Sequence, residues 1–384
     1  MQWAPGAGTA LATPPDLAAD PLVAAVTGLA VAVLGPVAEE TAQEGVPRSH
    51  LDALARCGAY GALGHATAPG SGLTTRQVVR EVNELLSAAD PSTWFVHTQH
   101  FGLVKGLQGA TGPEADALRE RWSADLASGT RRGTAGFAFL RHARPPVTAE
   151  PVAGGWRLRG RVPWMTGWGL SDVVYLGALA PDDRVLFAAV DCGPDGDPGL
   201  VAAGSAPLWA MNGTRTVAVE VRDVLVAPDA VVSVQPRTEW ARAYDLENAN
   251  AHPAVFGHVR AAADFLLRSA PAAGAAYEEL GLRVAQDAAR LRAEAYALRD
   301  ELPPQERVGD RLALRAAVLE LGVRAATACV AATGGRAVSY GNTAGRLARE
   351  AQFHLIQAQT SGLRTEMARL LLGGPPDRRT LPSG

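Results

Sequence analysis

Lysine is nearly absent from the chain: Lys105 is the only one, and every other basic side chain is arginine. With 36 basic against 39 acidic residues, the net charge of −3 leaves no surplus to neutralise nucleic-acid phosphate or an anionic membrane surface. Cysteine is scarce as well. Cys57, Cys192 and Cys329 stand far apart with no Cys-x-x-Cys pair, which argues against a disulfide framework and a metal site and for a reducing compartment. The apolar run over 22–37 is interrupted by Gly28, Gly35 and Pro36, falls short of the ~20 residues of a bilayer span, and has no basic leader or cleavage site. It reads as a buried helix of a cytoplasmic protein. Neither a Gly-x-x-x-x-Gly-Lys loop nor a Gly-x-Gly-x-x-Gly turn is present, so a nucleotide cofactor would have to be held in another way.

What is present is a change of hydrophobic period, twice. Residues 1–20 are rich in Pro, Gly and Ala without periodic apolar positions and predict a loose tail. Over 21–133 the spacing is helical, as in Leu51, Leu54 and Ala55, or Val78, Val79, Val82, Leu85 and Leu86, with Thr74 placed to cap the latter helix. Over 134–238 it alternates, as in Thr216-Val217-Ala218-Val219-Glu220-Val221, with Gly and Pro clusters between runs. Over 239–384 it is helical again, and Pro303-Pro304 separates two long Ala/Leu/Arg stretches. The order is helical bundle, β-domain, helical bundle.

The most informative local segment is Pro163-Trp164-Met165-Thr166-Gly167 at the end of a predicted strand. A tryptophan face and a threonine hydroxyl held between proline and glycine suit a flat aromatic cofactor; a β-hairpin with buried tryptophans is the plainer alternative. Two further segments matter: Leu208-Trp209-Ala210-Met211-Asn212-Gly213-Thr214-Arg215-Thr216 running to Val224-Leu225-Val226-Ala227-Pro228, and Gly334-Gly335 followed by Arg346-Leu347-Ala348-Arg349-Glu350-Ala351. In this order and at these separations the three segments resemble the acyl-CoA dehydrogenase family over about residues 21–372.

The resemblance implies an α+β fold: an N-terminal helical bundle, a central β-barrel or sandwich domain, and a C-terminal four-helix bundle. It also implies a flavin, FAD with FMN as the alternative. Trp164 would line the flavin, Thr166 would hydrogen-bond its edge, and Gly167, Gly334, Gly335, Thr360 and the backbone at Leu140 would complete the cofactor site. The partners implied are an acyl-CoA or carrier-protein thioester, or a small specialised metabolite, and a second copy in a homodimer or homotetramer, with a heteromer as the alternative.

The reaction is less legible. The family's usual catalytic Glu falls, by spacing from Arg349, on Ala358, which accepts no proton. Some members carry the base ten residues before a glycine that packs on the flavin-side strands; here Glu247 precedes Gly257 by that spacing and becomes the candidate base, with Asn248 where Arg is usual. A solvated carboxylate near a helix N-terminus is its plain alternative. The family's Thr-Glu-Pro loop is replaced by Phe139-Leu140-Arg141-His142, and the Arg-x-Gln-Phe-Gly segment that grips FAD is missing. His97 and His100, three apart on one helix face, are candidates for acid/base work on the same fold, as in flavin monooxygenases, with paired core histidines as the alternative. A matching histidine in those enzymes falls near Gln357, and here His354 stands one turn earlier. Three readings follow: acyl-thioester oxidation by α-proton abstraction and hydride transfer to FAD, a flavin monooxygenase or oxidase, and a non-catalytic partner subunit.

Overall fold

The computed structural model describes residues 5–204 and 207–373. A continuous helical stretch, Pro21–Glu44, leads into helices Arg48–Arg56, Thr75–Ala89, Pro91–Gly109 and Pro113–Ser128. Thr74 caps Thr75–Ala89 in a reciprocal box with Gln77, and Asp90 caps Pro91–Gly109 through the Thr93 amide at 3.1 Å. These local devices start each helix where its apolar stripe begins.

Eight strands follow: β1 Gly133–Gly136, β2 Val147–Val152, β3 Gly155–Met165, β4 Val173–Ala180, β5 Arg184–Asp191, β6 Leu200–Ala202, β7 Val217–Val226 and β8 Val231–Pro236. They form one sheet in the order β6-β7-β3-β2-β4-β5-β8, with β1 added to β4 in parallel. Beside Gly160 the ladder bulges on the β7 side, where Leu158 pairs with Val224 but Gly160 with Val221. The Gly160 φ of +135° is open to glycine alone, and an added Cβ would stand 1.9 Å from the Pro146 carbonyl oxygen.

The C-terminal part comprises Arg237–Glu247, Pro253–Ala273, Ala275–Glu301, Val308–Thr333, Thr343–Ile356 and Ser361–Leu371. Pro303 and Pro304 fall in the break between the third and fourth of these helices. Two stretches, Pro21–Glu44 and Val308–Val338, are apolar and long enough to cross a membrane by length and composition. In the fold each lays one stripe into a helical core, Leu22, Val23, Val26 and Leu34 in the first and Leu319, Leu321, Ala325 and Ala326 in the second.

The segment expected as a loose tail is packed from residue 5 onward. Leu11 is fully buried in the C-terminal core, the Gly6 amide donates to Asp264 at 2.7 Å, and the Thr13 hydroxyl donates to Glu81 at 2.7 Å. Its composition suggested disorder because both anchors lie far away in sequence. Gly257 also differs from expectation. An added Cβ there would meet the Glu84 carbonyl oxygen at 2.3 Å, so this glycine permits a close crossing of two helices instead of a contact with strands.

Candidate functional site

β3 ends at the ledge. It pairs antiparallel with β7, Met165 opposite Val217, and an extra β3 residue between Val162 and Met165 breaks the alternation, so that Met165 returns to the core and Trp164 is left outside, 64% exposed. A hollow of about 540 Å3 lies against Trp164, lined also by Arg161, Pro163, Gly204, Thr216 and Val217. Behind it runs a chain of hydroxyls. Thr166 Oγ1 lies 2.9 Å from Thr216 Oγ1, Thr216 lies 2.8 Å from Thr214 Oγ1, and Thr214 donates to the Met211 carbonyl at 2.7 Å. The Gly167 and Trp168 amides donate to the carbonyls of Thr214 and Arg215, at 2.9 and 3.2 Å, and Thr134 donates to the Thr166 carbonyl at 2.6 Å. Met211 and Arg215, at φ +59° and +50°, bracket the turn that presents Thr214. Such left-handed non-glycine residues cost about 1–2 kcal/mol each and persist where their surroundings over-determine them.

Met211 also walls a second hollow, of about 280 Å3, with Ser92, Trp209, Asn212, Tyr340 and Arg349. Glu350 lines it as well, and burial pushes its carboxyl up to about 7 against the pull of Arg346, whose Nη1 donates to it at 2.9 Å. Arg346 is held on its other side by Glu39 at 2.7 Å.

The remaining sequence-predicted residues are scattered. His97 and His100 do share a face, but it turns inward: both rings stand edge-on to Tyr60, with centroids 4.8 Å away. The His100 Nδ1 accepts the Gly133 amide at 3.0 Å and so anchors the start of β1. Burial pushes His97 down to about 4 and His100 to about 3, so both are neutral core groups, and neither lines either of these two hollows. Leu140 is fully buried on the sheet, within reach of Gly177. Gly334 and Gly335 open an exposed 3-10 turn after the Val308–Thr333 helix. Thr360 caps Ser361–Leu371, its Oγ1 accepting the Leu363 amide at 3.1 Å.

Glu247 ends its helix instead of standing near an N-terminus, with its side chain 53% exposed and paired to Arg299 at 2.6 Å. One relationship ties its helix to a later turn. Arg315 donates to the carbonyls of both Asn248 and Gln357, the latter at 2.8 Å, and so ties the end of the Glu247 helix to the turn holding Ala358. Sequence reasoning missed this arginine and the Thr214–Thr216 hydroxyls. It also missed His258, whose ring is tilted against that of His354 with centroids 5.3 Å apart; both are buried and held well below the usual imidazole value by burial. Only the clustering of threonines in the quoted segments hinted at any of them.

No family model matches the chain, and no curated protein does. Solved structures do. A glutaryl-CoA dehydrogenase from Mycobacterium smegmatis, in complex with FADH2, is 15% identical, with 96% of this chain and 97% of that one covered at a TM-score of 0.74. A dibenzothiophene monooxygenase from Paenibacillus sp. A11-2 is 18% identical, covering 92% and 98% at 0.70. A butyryl-CoA dehydrogenase from Megasphaera elsdenii is 15% identical, covering 94% and 99% at 0.70. These likenesses establish the class of fold. The chain has the acyl-CoA dehydrogenase-like fold, helices at both ends around a central eight-stranded sheet.

Proposed function

We propose that the chain is a flavin-dependent oxidoreductase that seats the isoalloxazine of FAD, or of FMN, on the Trp164 ledge. The observation that carries this reading is Trp164 itself: a large indole left 64% exposed at the edge of a 540 Å3 hollow backed by threonine hydroxyls. That volume lies within the ~300–1,000 Å3 of small-molecule sites. An aromatic face with hydroxyls behind it fits a flat heterocycle with hydrogen-bonding edges. When bound, a flavin would supply two-electron redox chemistry. The chain's own part is to hold it: Trp164 covers one face against water, and β3 and β7 fix the hydroxyls beside it.

For the reaction, oxidation of an acyl thioester is supported by the Arg315 tie, which brings Glu247 to the side of the molecule where Ala358 leaves no base. Glu247 would take the α-proton after leaving Arg299. A monooxygenase or oxidase is the second reading, favoured by the same carboxylate lying exposed and ion-paired. The relatives in fold include a dehydrogenase and a monooxygenase, so both chemistries suit the architecture.

The test is flavin stoichiometry of the purified chain after incubation with FAD or FMN and removal of the excess. About one flavin per chain supports the reading; absence of either flavin would contradict it and favour a non-catalytic partner subunit.

A further inference from the structure

The second hollow shares no lining residue with the Trp164 hollow, and no step given above uses it. Trp209 and Tyr340 line it, and both rings are largely exposed. Its two arginines differ. Arg346 is buried and committed on both sides: its Nε donates to Glu39 at 2.7 Å and its Nη1 to Glu350 at 2.9 Å. Arg349 lines the same hollow, and among the described residues its guanidinium has no hydrogen-bonded or ionic partner. It is nonetheless held in place. Its central carbon stands 5.4 Å from the Tyr340 ring centroid, and an added Cβ at Gly345, one turn earlier, would lie 3.5 Å from its Nη1. The side chain therefore lies back along its own helix, over a position that only hydrogen leaves free. A guanidinium fixed in this way presents a planar fork of donors, which a carboxylate matches with two parallel bonds.

The charge around Glu350 decides what the hollow attracts. Near it are Arg346 on its own helix, Glu39 on the Pro21–Glu44 stretch and Asp90 at the cap of Pro91–Gly109, while His354, one turn further on, is neutral. Burial, helped by Glu39 and Asp90, pushes the Glu350 carboxyl up to about 7 against the pull of Arg346. Below that value it is mainly protonated. Glu39 and Arg346 then cancel, Asp90 is engaged by the Thr93 amide and hydroxyl, and Arg349 carries the uncompensated charge at the hollow. Above it, Glu350 adds a negative charge. The volume of about 280 Å3 lies just under the ~300 Å3 at which sites for drug-sized ligands begin, so the occupant is small, about one ring. We propose that this hollow binds a small aromatic carboxylate, Arg349 taking the carboxylate and Trp209 and Tyr340 contacting the ring. The site stands whether or not a flavin occupies the Trp164 hollow.

The experiment is calorimetric titration of the full chain at about pH 6 with benzoate, with its uncharged counterpart benzamide, and with acetate, which lacks the ring. Benzoate is expected to bind at least about tenfold more tightly than either. Arg349→Gln should bring benzoate down to the affinity of benzamide and leave benzamide unchanged. At about pH 8 the ionised Glu350 should weaken benzoate by about threefold or more and leave benzamide unchanged. Trp209→Ala removes a ring that lies outside the core; it should weaken benzoate and benzamide alike by about threefold or more, and it serves if the arginine variant does not fold. Benzoate binding no more tightly than benzamide or acetate overturns the proposal. So does undiminished benzoate affinity in either folded variant, or equal benzoate affinity at the two pH values.

Discussion

Arg260 and Glu81 meet at 2.9 Å in the interior, both almost inaccessible to solvent, and join the first helical bundle to the second. Arg292 reaches the same carboxylate at 2.5 Å and Glu84 at 2.8 Å, while Arg260 also donates to Thr13 at 2.8 Å. One buried network thus clamps two bundles and the N-terminal arm.

Replacing one member strands charge. Arg260→Ala leaves Glu81 with Arg292 as its one guanidinium and removes one of the two bonds that hold Thr13, and removing one partner of such a pair costs about 3–5 kcal/mol. The urea unfolding midpoint should fall accordingly, and protease should cut the arm before residue 20 faster than in the unaltered chain. A loss below about 1 kcal/mol would show that the network contributes little beyond packing.

Acid should unfold the protein through its buried histidines. His97 is pushed down to about 4, and His100 and His354 to about 3, by burial; His252 and His258 are held well below 6.5 for the same reason. Between the folded values and 6.5, the unfolded chain binds protons that the folded chain does not. Their contribution is therefore complete above about pH 6.5 and declines as pH falls, by up to about 1.4 kcal/mol per pH unit for each group. Glu350, raised to about 7, and Glu84, raised by burial, work in the opposite sense, two carboxyls against five histidines. Urea midpoints at about pH 7.5 and about pH 5 should show the net loss, and His97→Gln should reduce its slope. Equal midpoints would contradict the assignment of these rings as neutral.

The role given to Glu247 is separable from the fold. Its side chain is half exposed and, among the described residues, its ion pair is with Arg299, so Glu247→Gln should leave stability within about 1 kcal/mol. In the acyl-oxidation reading the same change should reduce α-proton exchange of a bound acyl thioester by at least about a hundredfold, the usual range for loss of a general base. Undiminished exchange would remove Glu247 from the reaction, and substrate-dependent oxygen consumption would then favour the oxygenase.

The α-β-α order was readable because the hydrophobic period changes at each boundary, and Pro163-Trp164-Met165-Thr166 marked the ledge because its signal is local. Other features depend on distant partners. His97 and His100 at i, i+3 must share a face, but only the position of Tyr60 decides that the face points inward. The hydroxyl chain needs the register that sets Met165 opposite Val217, which no window around Thr166 contains. The packed arm needs Asp264, 258 residues from Gly6. Glu247 was placed near a helix start because the break after it, at residues 248–252, carries polar residues that also suit a cap.

The central claim is that Trp164 is exposed in order to carry a flavin ring, and Trp164→Ala tests it directly. The indole is 64% exposed and absent from the core, so the variant should fold with unchanged circular dichroism and an unfolding midpoint within about 1 kcal/mol of the original. Equilibrium titration with reduced FAD should show affinity falling at least about tenfold, as expected for loss of an aromatic contact of ~1–3 kcal/mol. Binding of reduced FAD with undiminished affinity by the folded variant would contradict the account.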